Sequence, residues 1–376
     1  MSRIHWIGTG LSAIPGLRRL IERGLPVTVW NRTPEKAEAA VGDITDDIRR
    51  FTPEDLAGAA MRNDVIVSML PASWHVPLAE MAIDRGAHFV SSSYVSPEMR
   101  ALDGKARQEG VALVNEVGLD PGIDHLMAHD LVHDYLAGGH HHPQNALSFI
   151  SYCGGIPARP NAFRYKFSWS PLGVLKALRS PARAIRDFAE WRIERPWEGL
   201  SRWQAPLPTP ETFEVYPNRD SLPFLEQYGF GRDWRVKDFV RGTIRLEGWA
   251  EAWAGIFERV ETLDEAGLAT LSERLWAEHA YREGEPDRVV LFVGLRAERD
   301  GAPVFDRIWA LDAVGDGRGS AMARLVSVPV SLAVEAVREG TIGPGVSAAP
   351  SDPALVRDWL ARIAPLAQHI TRHRRL

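Results

Sequence analysis

A glycine-rich turn near the start of the chain constrains the fold more than any other feature of the sequence. The apolar run Ile4-His5-Trp6-Ile7 is followed by Gly8-Thr9-Gly10-Leu11-Ser12-Ala13 and then by leucines at helical spacing. This G-x-G-x-x-A pattern between a strand and a helix is typical of dinucleotide-binding domains. Gly8 permits the tight turn, Gly10 lets the backbone approach a pyrophosphate, and Ala13 allows close helix packing. The sequence therefore predicts that residues 8–13 bind a dinucleotide at a helix N-terminus.

The end of the second predicted strand, residues 26–30, indicates which dinucleotide is bound. An NAD enzyme usually has an acidic residue at this point for the ribose 2′-hydroxyl, but this chain reads Asn31-Arg32-Thr33. The guanidinium of Arg32 and the hydroxyl of Thr33 suit a 2′-phosphate, and Asn31 can hydrogen-bond the ribose or the phosphate. We predict NADP(H), with NAD(H) as the alternative if Arg32 is an ordinary solvated cation.

Apolar strands and helical patterns continue to alternate up to about residue 115. Residues 64–71 read as a strand ending in Leu70-Pro71, which should border the nicotinamide ribose, and residues 88–92 read as the next. This alternation predicts parallel strands joined by right-handed crossovers. Ligands of open α/β sheets collect beyond the carboxyl ends of the strands. Ser93 and Tyr94, which follow one such end, are therefore candidate substrate contacts.

The segment from residue 114 to residue 125 separates two kinds of sequence. Residues 111–115 read as the last strand of the parallel sheet, and Asp120-Pro121-Gly122 reads as a turn. Asp124 stands close to a helix N-cap position for the pattern that follows. The side chains expected near any active site of the sheet are Glu116, Asp120, Asp124 and His125.

Bulk composition places the chain among globular proteins and excludes some functions. Its 376 residues, 45% hydrophobic and 25% charged, are enough for two domains with buried cores. The formal net charge of −5 argues against nonspecific nucleic-acid binding. The single Cys fits a reducing compartment, and we find neither a signal-peptide pattern nor a membrane-length apolar run. We expect a soluble cytoplasmic protein that does not bind nucleic acid or membranes.

The second half of the chain predicts an α+β domain with one mixed or antiparallel sheet and helices on one face. Strand patterns cover residues 146–152, 213–216, 242–246, 288–296 and 304–310, and helical patterns cover 172–178, 250–260 and 266–278. Residues 191–210, rich in Pro and Trp, read as a pocket loop. Residues 321–339 and 355–372 read as two long helices.

Several motifs, taken in order, make the chain similar to the saccharopine dehydrogenase family, specifically to its glutamate-forming branch. Besides residues 8–15, they are Ser92-Ser93-Tyr94-Val95-Ser96-Pro97, residues 115–125, Ser151-Tyr152-Cys153-Gly154-Gly155, Tyr165-Lys166-Phe167-Ser168, Tyr216-Pro217-Asn218-Arg219-Asp220 and Arg241-Gly242-Thr243-Ile244-Arg245. The resemblance spans most of the chain. The chain departs from the family pattern before Tyr165 and within residues 191–210, and both departures could reshape a substrate pocket.

The resemblance implies a Rossmann-type doubly wound parallel sheet in residues 1–122 and 325–376, with an α+β substrate domain in residues 123–324. It also implies a homodimer that uses NADP and oxidises saccharopine at a C–N bond, giving glutamate and 2-aminoadipate 6-semialdehyde. The alternative in the same fold is a polyamine imine reductase that forms carboxynorspermidine or homospermidine.

Substrate and catalytic residues are predicted from the same motifs. A substrate with several carboxylates needs cationic anchors, for which Arg219 and Arg241 are the best candidates. We also expect Ser93, Tyr94, Cys153 and Thr243 to contact the substrate, and Asp120 to bind its ammonium group. The general acid–base stays open between Asp120, Tyr94, Lys166 and an ordered water.

Two readings from other classes compete with the dehydrogenase. His125, His129 and His133 share one helix face, and a zinc hydrolase could use them as ligands. A noncatalytic NADP-binding sensor is the second reading, and the presence of Arg219 and Arg241 argues against it. We expect no metal.

Overall fold

The structure is a computed structural model that describes residues 2–376. Its strands are β1 (Ile4–Ile7), β2 (Val27–Asn31), β3 (Ile48–Arg50), β4 (Val65–Ser68), β5 (His88–Ser91), β6 (Ala112–Val114), β7 (Ala146–Pro157), β8 (Ala182–Arg186), β9 (Ala189–Ile193), β10 (Ser201–Ala205), β11 (Glu211–Pro217), β12 (Arg235–Leu246), β13 (Asp287–Arg299), β14 (Ala302–Val314), β15 (Gly345–Ser347) and β16 (His369–Arg374).

Its α-helices are α1 (Ile14–Glu22), α2 (Pro34–Val41), α3 (Pro53–Ala59), α4 (His75–Arg85), α5 (Pro97–Ala101), α6 (Asp103–Glu109), α7 (Ile123–Ala137), α8 (Pro171–Arg179), α9 (Pro223–Gln227), α10 (Trp249–Ala252), α11 (Ala254–Thr262), α12 (Glu265–His279), α13 (Ala321–Arg338) and α14 (Pro353–Ile363). Among the described residues, no helix combines the length and hydropathy needed to cross a membrane.

The chain forms two compact units. The first comprises the residues up to Leu126 together with Met322–Ile363, and the second comprises Met127–Ala321 together with Ala364–Leu376. Each unit is built around one sheet.

The first unit has a seven-stranded parallel sheet in the order β15-β6-β5-β4-β1-β2-β3. Strands β1 and β4 are buried along their whole length, as expected for a sheet covered on both faces. On one face, α1 lies so close to α13 that a Cβ on Gly16 would come within 2.0 Å of the Ser327 carbonyl oxygen. The predicted doubly wound parallel sheet is confirmed. Strand order reverses at β1 and β4, where ligands bind in sheets of this kind.

The second unit has a nine-stranded mixed sheet in the order β10-β11-β12-β7-β13-β14-β16, with β8 beside β12 and β9 beside β8. Only β7 and β12 pair in parallel; the other named pairs are antiparallel. Trp203 of β10 contacts Phe292 of β13, with 4.9 Å between ring centroids. Since three strands separate β10 from β13 in the sheet order, the sheet must curl to bring these rings together.

Three predictions about secondary structure were wrong, and β3 was missed. β3 has only three residues, two of them exposed, and it escaped a search for apolar runs. β6 is followed in the sheet by β15, so residues 111–115 are not the last strand. Residues 191–210 contain the end of β9, a 3₁₀ turn at Pro196–Gly199 and β10 in place of a loop.

The third wrong prediction concerns the C-terminus. The helix predicted for residues 355–372 ends at Ile363, and His369–Arg374 pairs antiparallel with β14 as an edge strand. Residues 364–376 therefore belong to the second unit, not to the nucleotide-binding unit as the expected boundary of 325–376 required. The edge of β14 offers backbone groups that a strand can satisfy and a solvated helix end cannot.

Candidate functional site

The loop after β1 has the backbone geometry that a bound pyrophosphate requires. Gly8 has φ +98°, and a Cβ there would lie 3.2 Å from the Met69 carbonyl oxygen. A Cβ on Gly10 would meet nothing within 4 Å, so that side of the loop is open. α1 starts just after the buried Ala13 and has Pro15 in its first turn, and the Gly16 N–H donates to Ser327 Oγ at 2.8 Å. Glycines, open space and helix N-terminus together fit a dinucleotide.

The carboxyl end of β2 is joined to this loop through Asn31. The Asn31 side-chain NH₂ donates to Thr9 Oγ1, and the Asn31 side-chain oxygen, Oδ1, accepts the Thr33 backbone N–H at 3.0 Å. Arg32 is exposed and makes no hydrogen bond or ion pair within residues 2–376. The cofactor residues predicted from sequence all lie at or after the carboxyl ends of β1, β2 or β4: Gly8, Thr9, Gly10, Leu11, Ser12, Ala13, Asn31, Arg32, Thr33, Leu70 and Pro71.

The turn after β4 is fixed by a histidine. His75 Nε2 lies 3.0 Å from the Leu70 carbonyl oxygen, which can only accept, so this nitrogen carries the proton. Burial lowers the pKa of His75, against the opposing effect of that hydrogen bond. The ring therefore holds the backbone of Leu70 beside Pro71.

Two predicted active-site side chains meet in the loops after β5 and β6. The hydroxyl of Tyr94 donates to Asp120 Oδ1 at 3.1 Å, across 26 positions of sequence. Both residues are partly buried, so they remain accessible to a small molecule. A phenol hydrogen-bonded to a carboxylate can stabilise that carboxylate and can move a proton to or from a substrate nitrogen.

A buried cluster of acids and a histidine supports these two residues. Glu116, with φ +56°, donates its backbone N–H to the Ser93 carbonyl oxygen at 3.0 Å. Its Oε1 accepts the Val95 N–H at 2.9 Å, and its Oε2 lies 3.0 Å from His125 Nε2. Glu116 thus binds the residues on both sides of Tyr94.

The turn that carries Asp120 is equally constrained. Gly122 has φ +147°, and a Cβ there would come within 2.1 Å of the Gly118 carbonyl oxygen. Asp124, expected near the N-cap of α7, lies one residue inside the helix, and its Oδ1 accepts the Gly122 N–H at 2.6 Å. Its Oδ2 lies 3.4 Å from His125 Nδ1. Sequence analysis placed Glu116 and Asp124 near the site but gave them no catalytic role; for Glu116, an acid just past a buried strand was the available signal.

In the second unit, neighbouring strands bring four predicted substrate residues together. Register pairs Thr243 of β12 with Cys153 of β7, so both side chains point to the same face. The guanidinium of Arg241, two residues earlier, lies 3.8 Å from the centre of the Phe224 ring. Arg219 follows β11 with φ +56°, and the Asn218 N–H donates to the Arg241 carbonyl oxygen at 2.9 Å. That bond holds the Arg219 turn beside Arg241.

Lys166 lies apart from this group. Its ammonium forms an ion pair with Glu285 and lies 5.7 Å from the centre of the Tyr281 ring. It lines a cavity of about 400 Å³ with Arg159 and the 282–286 segment, and no other residue predicted to bind substrate lines that cavity. The ion pair lowers the pKa of the Glu285 carboxyl.

The histidines of α7 do not form a metal site. His125 contacts Glu116 and Asp124, His129 lies edge-on to the Tyr228 ring with 5.6 Å between centroids, and His133 is exposed. Within residues 2–376, no group of three or more His, Cys, Asp or Glu side chains is placed to hold a metal ion.

Comparison with known families covers nearly the whole chain. Residues 4–114 match the model of the saccharopine dehydrogenase NADP binding domain, and residues 118–365 match that of the saccharopine dehydrogenase C-terminal domain. The chain belongs to the saccharopine dehydrogenase family. The resemblance drawn from the sequence motifs is confirmed.

Individual members of the saccharopine dehydrogenase family match from end to end. The NADP⁺-dependent, L-glutamate-forming saccharopine dehydrogenase of Pyricularia oryzae is 31% identical over 89% of this chain and 90% of its own. The solved apo saccharopine dehydrogenase (L-Glu forming) of Saccharomyces cerevisiae covers all of both chains at 26% identity, with a TM-score of 0.81. The Legionella pneumophila homospermidine synthase, 12% identical with a TM-score of 0.64, shares the fold alone.

Proposed function

We propose that this protein is an NADP⁺-dependent oxidoreductase that converts saccharopine and water to glutamate and 2-aminoadipate 6-semialdehyde. The observation that carries the proposal is the match to the P. oryzae enzyme over about nine tenths of both chains. The open glycine loop at the start of α1 fits the cofactor that this reaction needs. A place in lysine metabolism follows from the substrate.

The reaction breaks one C–N bond in two stages. NADP⁺, when bound, would supply the acceptor for a hydride from the substrate carbon that derives from the lysine side chain. Water then adds to the substrate imine, and the C–N bond breaks to release glutamate and the aldehyde. One proton leaves with the hydride transfer, and the departing amine must gain one, so the site has to move protons at a nitrogen.

Tyr94 and Asp120 are the residues that we propose for this task. Their hydrogen bond keeps the Asp120 carboxylate oriented, and a carboxylate can hold a substrate ammonium group. Asp120 as the ammonium ligand and Tyr94 as the proton donor or acceptor would divide the work between binding and chemistry. Lys166, already paired with Glu285, is the less suitable acid–base candidate.

We propose that the residues predicted on or after β7, β11 and β12 bind the carboxylates of the substrate. Arg219 and Arg241 supply guanidinium groups that can bind carboxylates through two parallel hydrogen bonds. Thr243 and Cys153, side by side in the sheet, supply a hydroxyl and a weak thiol donor on the same face. Two cations suit an amino acid with several carboxylates better than they suit a polyamine.

One assay separates the proposal from the polyamine alternative. Purified protein is incubated with NADP⁺ and saccharopine, and in a parallel reaction with carboxynorspermidine, while NADPH absorbance is followed. We expect NADPH with saccharopine only. NADPH formed only with carboxynorspermidine would identify the protein as a polyamine imine reductase. No NADPH in either reaction would contradict both the saccharopine proposal and the polyamine alternative.

We also propose that the protein acts in the cytoplasm as a homodimer. A single Cys suits a reducing compartment. Light scattering on the purified protein should give twice the chain mass of 41.8 kDa. A mass of one chain would contradict the dimer.

A further inference from the structure

The short strand β3 brings a second arginine to the carboxyl end of β2. Arg50 is the last residue of β3, and the parallel register pairs it with Asn31, the last residue of β2. The Phe51 N–H donates to the Asn31 carbonyl oxygen at 2.9 Å, which continues the same register past the strand end. Arg50 is therefore a fixed neighbour of the segment Asn31-Arg32-Thr33.

The pleat decides which way the two arginines of β3 point. Residues paired in register have side chains on the same face of a sheet, and successive residues alternate. Arg49 pairs with Trp30, its guanidinium lies 5.6 Å from the Trp30 ring centre, and it binds Asp47. Arg50 lies on the opposite face, with Asn31, whose amide reaches the glycine loop at Thr9.

Arg32 follows the last residue of β2 and Arg50 ends β3, so both arginines stand at neighbouring strand ends. Arg32 and Arg50 are both exposed, and across residues 2–376 neither side chain makes a hydrogen bond, an ion pair or a ring contact. Arg49, by contrast, is neutralised by Asp47 at 2.9 Å. Two like charges held at adjacent strand ends create a local positive potential that favours a dianion.

We propose that Arg50 and Arg32 together bind the 2′-phosphate of NADP, so that Arg50 is a second determinant of cofactor specificity. The proposal rests on the proposed function, because it assumes a dinucleotide on the glycine loop. A phosphate monoester carries close to two negative charges and three acceptor oxygens, more than one guanidinium can satisfy. An arginine fork on each side is the arrangement that such a group favours.

The test measures binding of an adenosine fragment, not turnover. Isothermal titration gives the Kd of wild type, Arg50→Ala and Arg32→Ala for adenosine 2′,5′-bisphosphate and for 5′-AMP, which lacks the 2′-phosphate. Arg49→Ala is the matched control, because it removes the same charge from the same strand on the other face. Arg50→Lys tests whether charge alone suffices.

We expect wild type to prefer the bisphosphate. Arg50→Ala should weaken bisphosphate binding about tenfold to a hundredfold, the range for a lost charge-assisted hydrogen bond, and leave 5′-AMP unchanged. Arg49→Ala should change neither Kd by more than about twofold. Arg50→Lys should fall between wild type and Arg50→Ala, since Lys keeps the charge but not the fork.

Three results would overturn the inference. Arg50→Ala could leave the bisphosphate Kd unchanged, weaken both nucleotides equally, or match Arg49→Ala. If wild type reduces NADP⁺ with saccharopine while Arg50→Ala still binds the bisphosphate normally, the inference fails and the proposed function stands. If the wild-type protein binds the two nucleotides with equal Kd, both the inference and the NADP assignment fail.

Discussion

Replacing Glu116 with alanine tests how the first unit positions Tyr94. Glu116 is 4% exposed, and it binds the chain before and after that tyrosine through the Ser93 carbonyl oxygen and the Val95 N–H. Its second carboxylate oxygen lies 3.0 Å from His125 Nε2. The variant keeps the backbone bond to Ser93 but removes both side-chain contacts.

The expected loss can be worked from those two contacts. The Val95 N–H would lose its acceptor, and the fully buried His125 ring would lose the carboxylate oxygen that lies 3.0 Å from its Nε2. A buried polar group left without its partner costs about 1–3 kcal/mol, so the free energy of unfolding should fall by about 2–6 kcal/mol. For a folding unit of 150–250 residues, this loss lowers the melting temperature by at least about 4 °C.

Turnover should fall as well. With the Val95 bond gone, the segment that carries Tyr94 loses one of its two fixed points, and the hydroxyl no longer meets Asp120 in one geometry. We expect kcat with saccharopine to fall by more than the KM for NADP⁺ changes. Thermal unfolding followed by circular dichroism and steady-state kinetics measure the two effects.

Two variants serve as controls for Glu116→Ala. Glu116→Gln keeps an acceptor for Val95 and offers an N–H to His125 Nε2 if the ring proton moves to Nδ1, which faces Asp124 at 3.4 Å. It should therefore recover part of both losses. Glu80→Ala removes an exposed carboxylate from α4 and should stay within about 0.5 kcal/mol of wild type. A Glu116→Ala protein that melts and turns over like Glu80→Ala would refute the reasoning.

Three further predictions concern other residues. Tyr94→Phe removes the hydrogen bond to Asp120, worth about 1.5–3 kcal/mol, and should lower kcat about tenfold to a hundredfold; unchanged turnover would exclude that bond from the reaction. Arg219→Ala should raise the KM for saccharopine about tenfold or more and leave the KM for NADP⁺ near wild type; equal changes in both constants would remove Arg219 from the substrate site. Burial lowers the pKa of His5 from its ordinary value of 6.5, although the hydrogen bond to Asp64 opposes this effect. Because His5 therefore takes up a proton more readily in the unfolded chain than in the folded one, the free energy of unfolding should fall as the pH drops below about 6.5. The melting temperature of His5→Gln should therefore depend less on pH between about 5 and 7 than that of wild type, and an identical pH dependence would contradict this account.

The glycine loop after β1 and the turn that carries Asp120 could be predicted from the sequence because their signals are local. Gly8, Gly10 and Ala13 stand between a strand and a helix, and each answers a steric demand within a few residues of itself. Asp120 lies in a turn that comes after a buried strand, and only glycine fits at position 122 of that turn. Short-range backbone geometry fixes such positions whatever the rest of the chain does.

Other features depend on contacts between residues that are far apart in the sequence. Lys166 finds its partner Glu285 at a separation of 119 residues, and nothing near either one indicates the pair. The sequence of residues 369–374 is compatible with a helix, but these residues form a strand because they pair with the edge of β14. Nothing in the sequence around Arg50 distinguishes it from other exposed arginines, and only its register with Asn31 shows that it lies near the segment that contains Arg32. Sheet pairing and ion pairing depend on groups that are remote in sequence, so only the folded chain decides them.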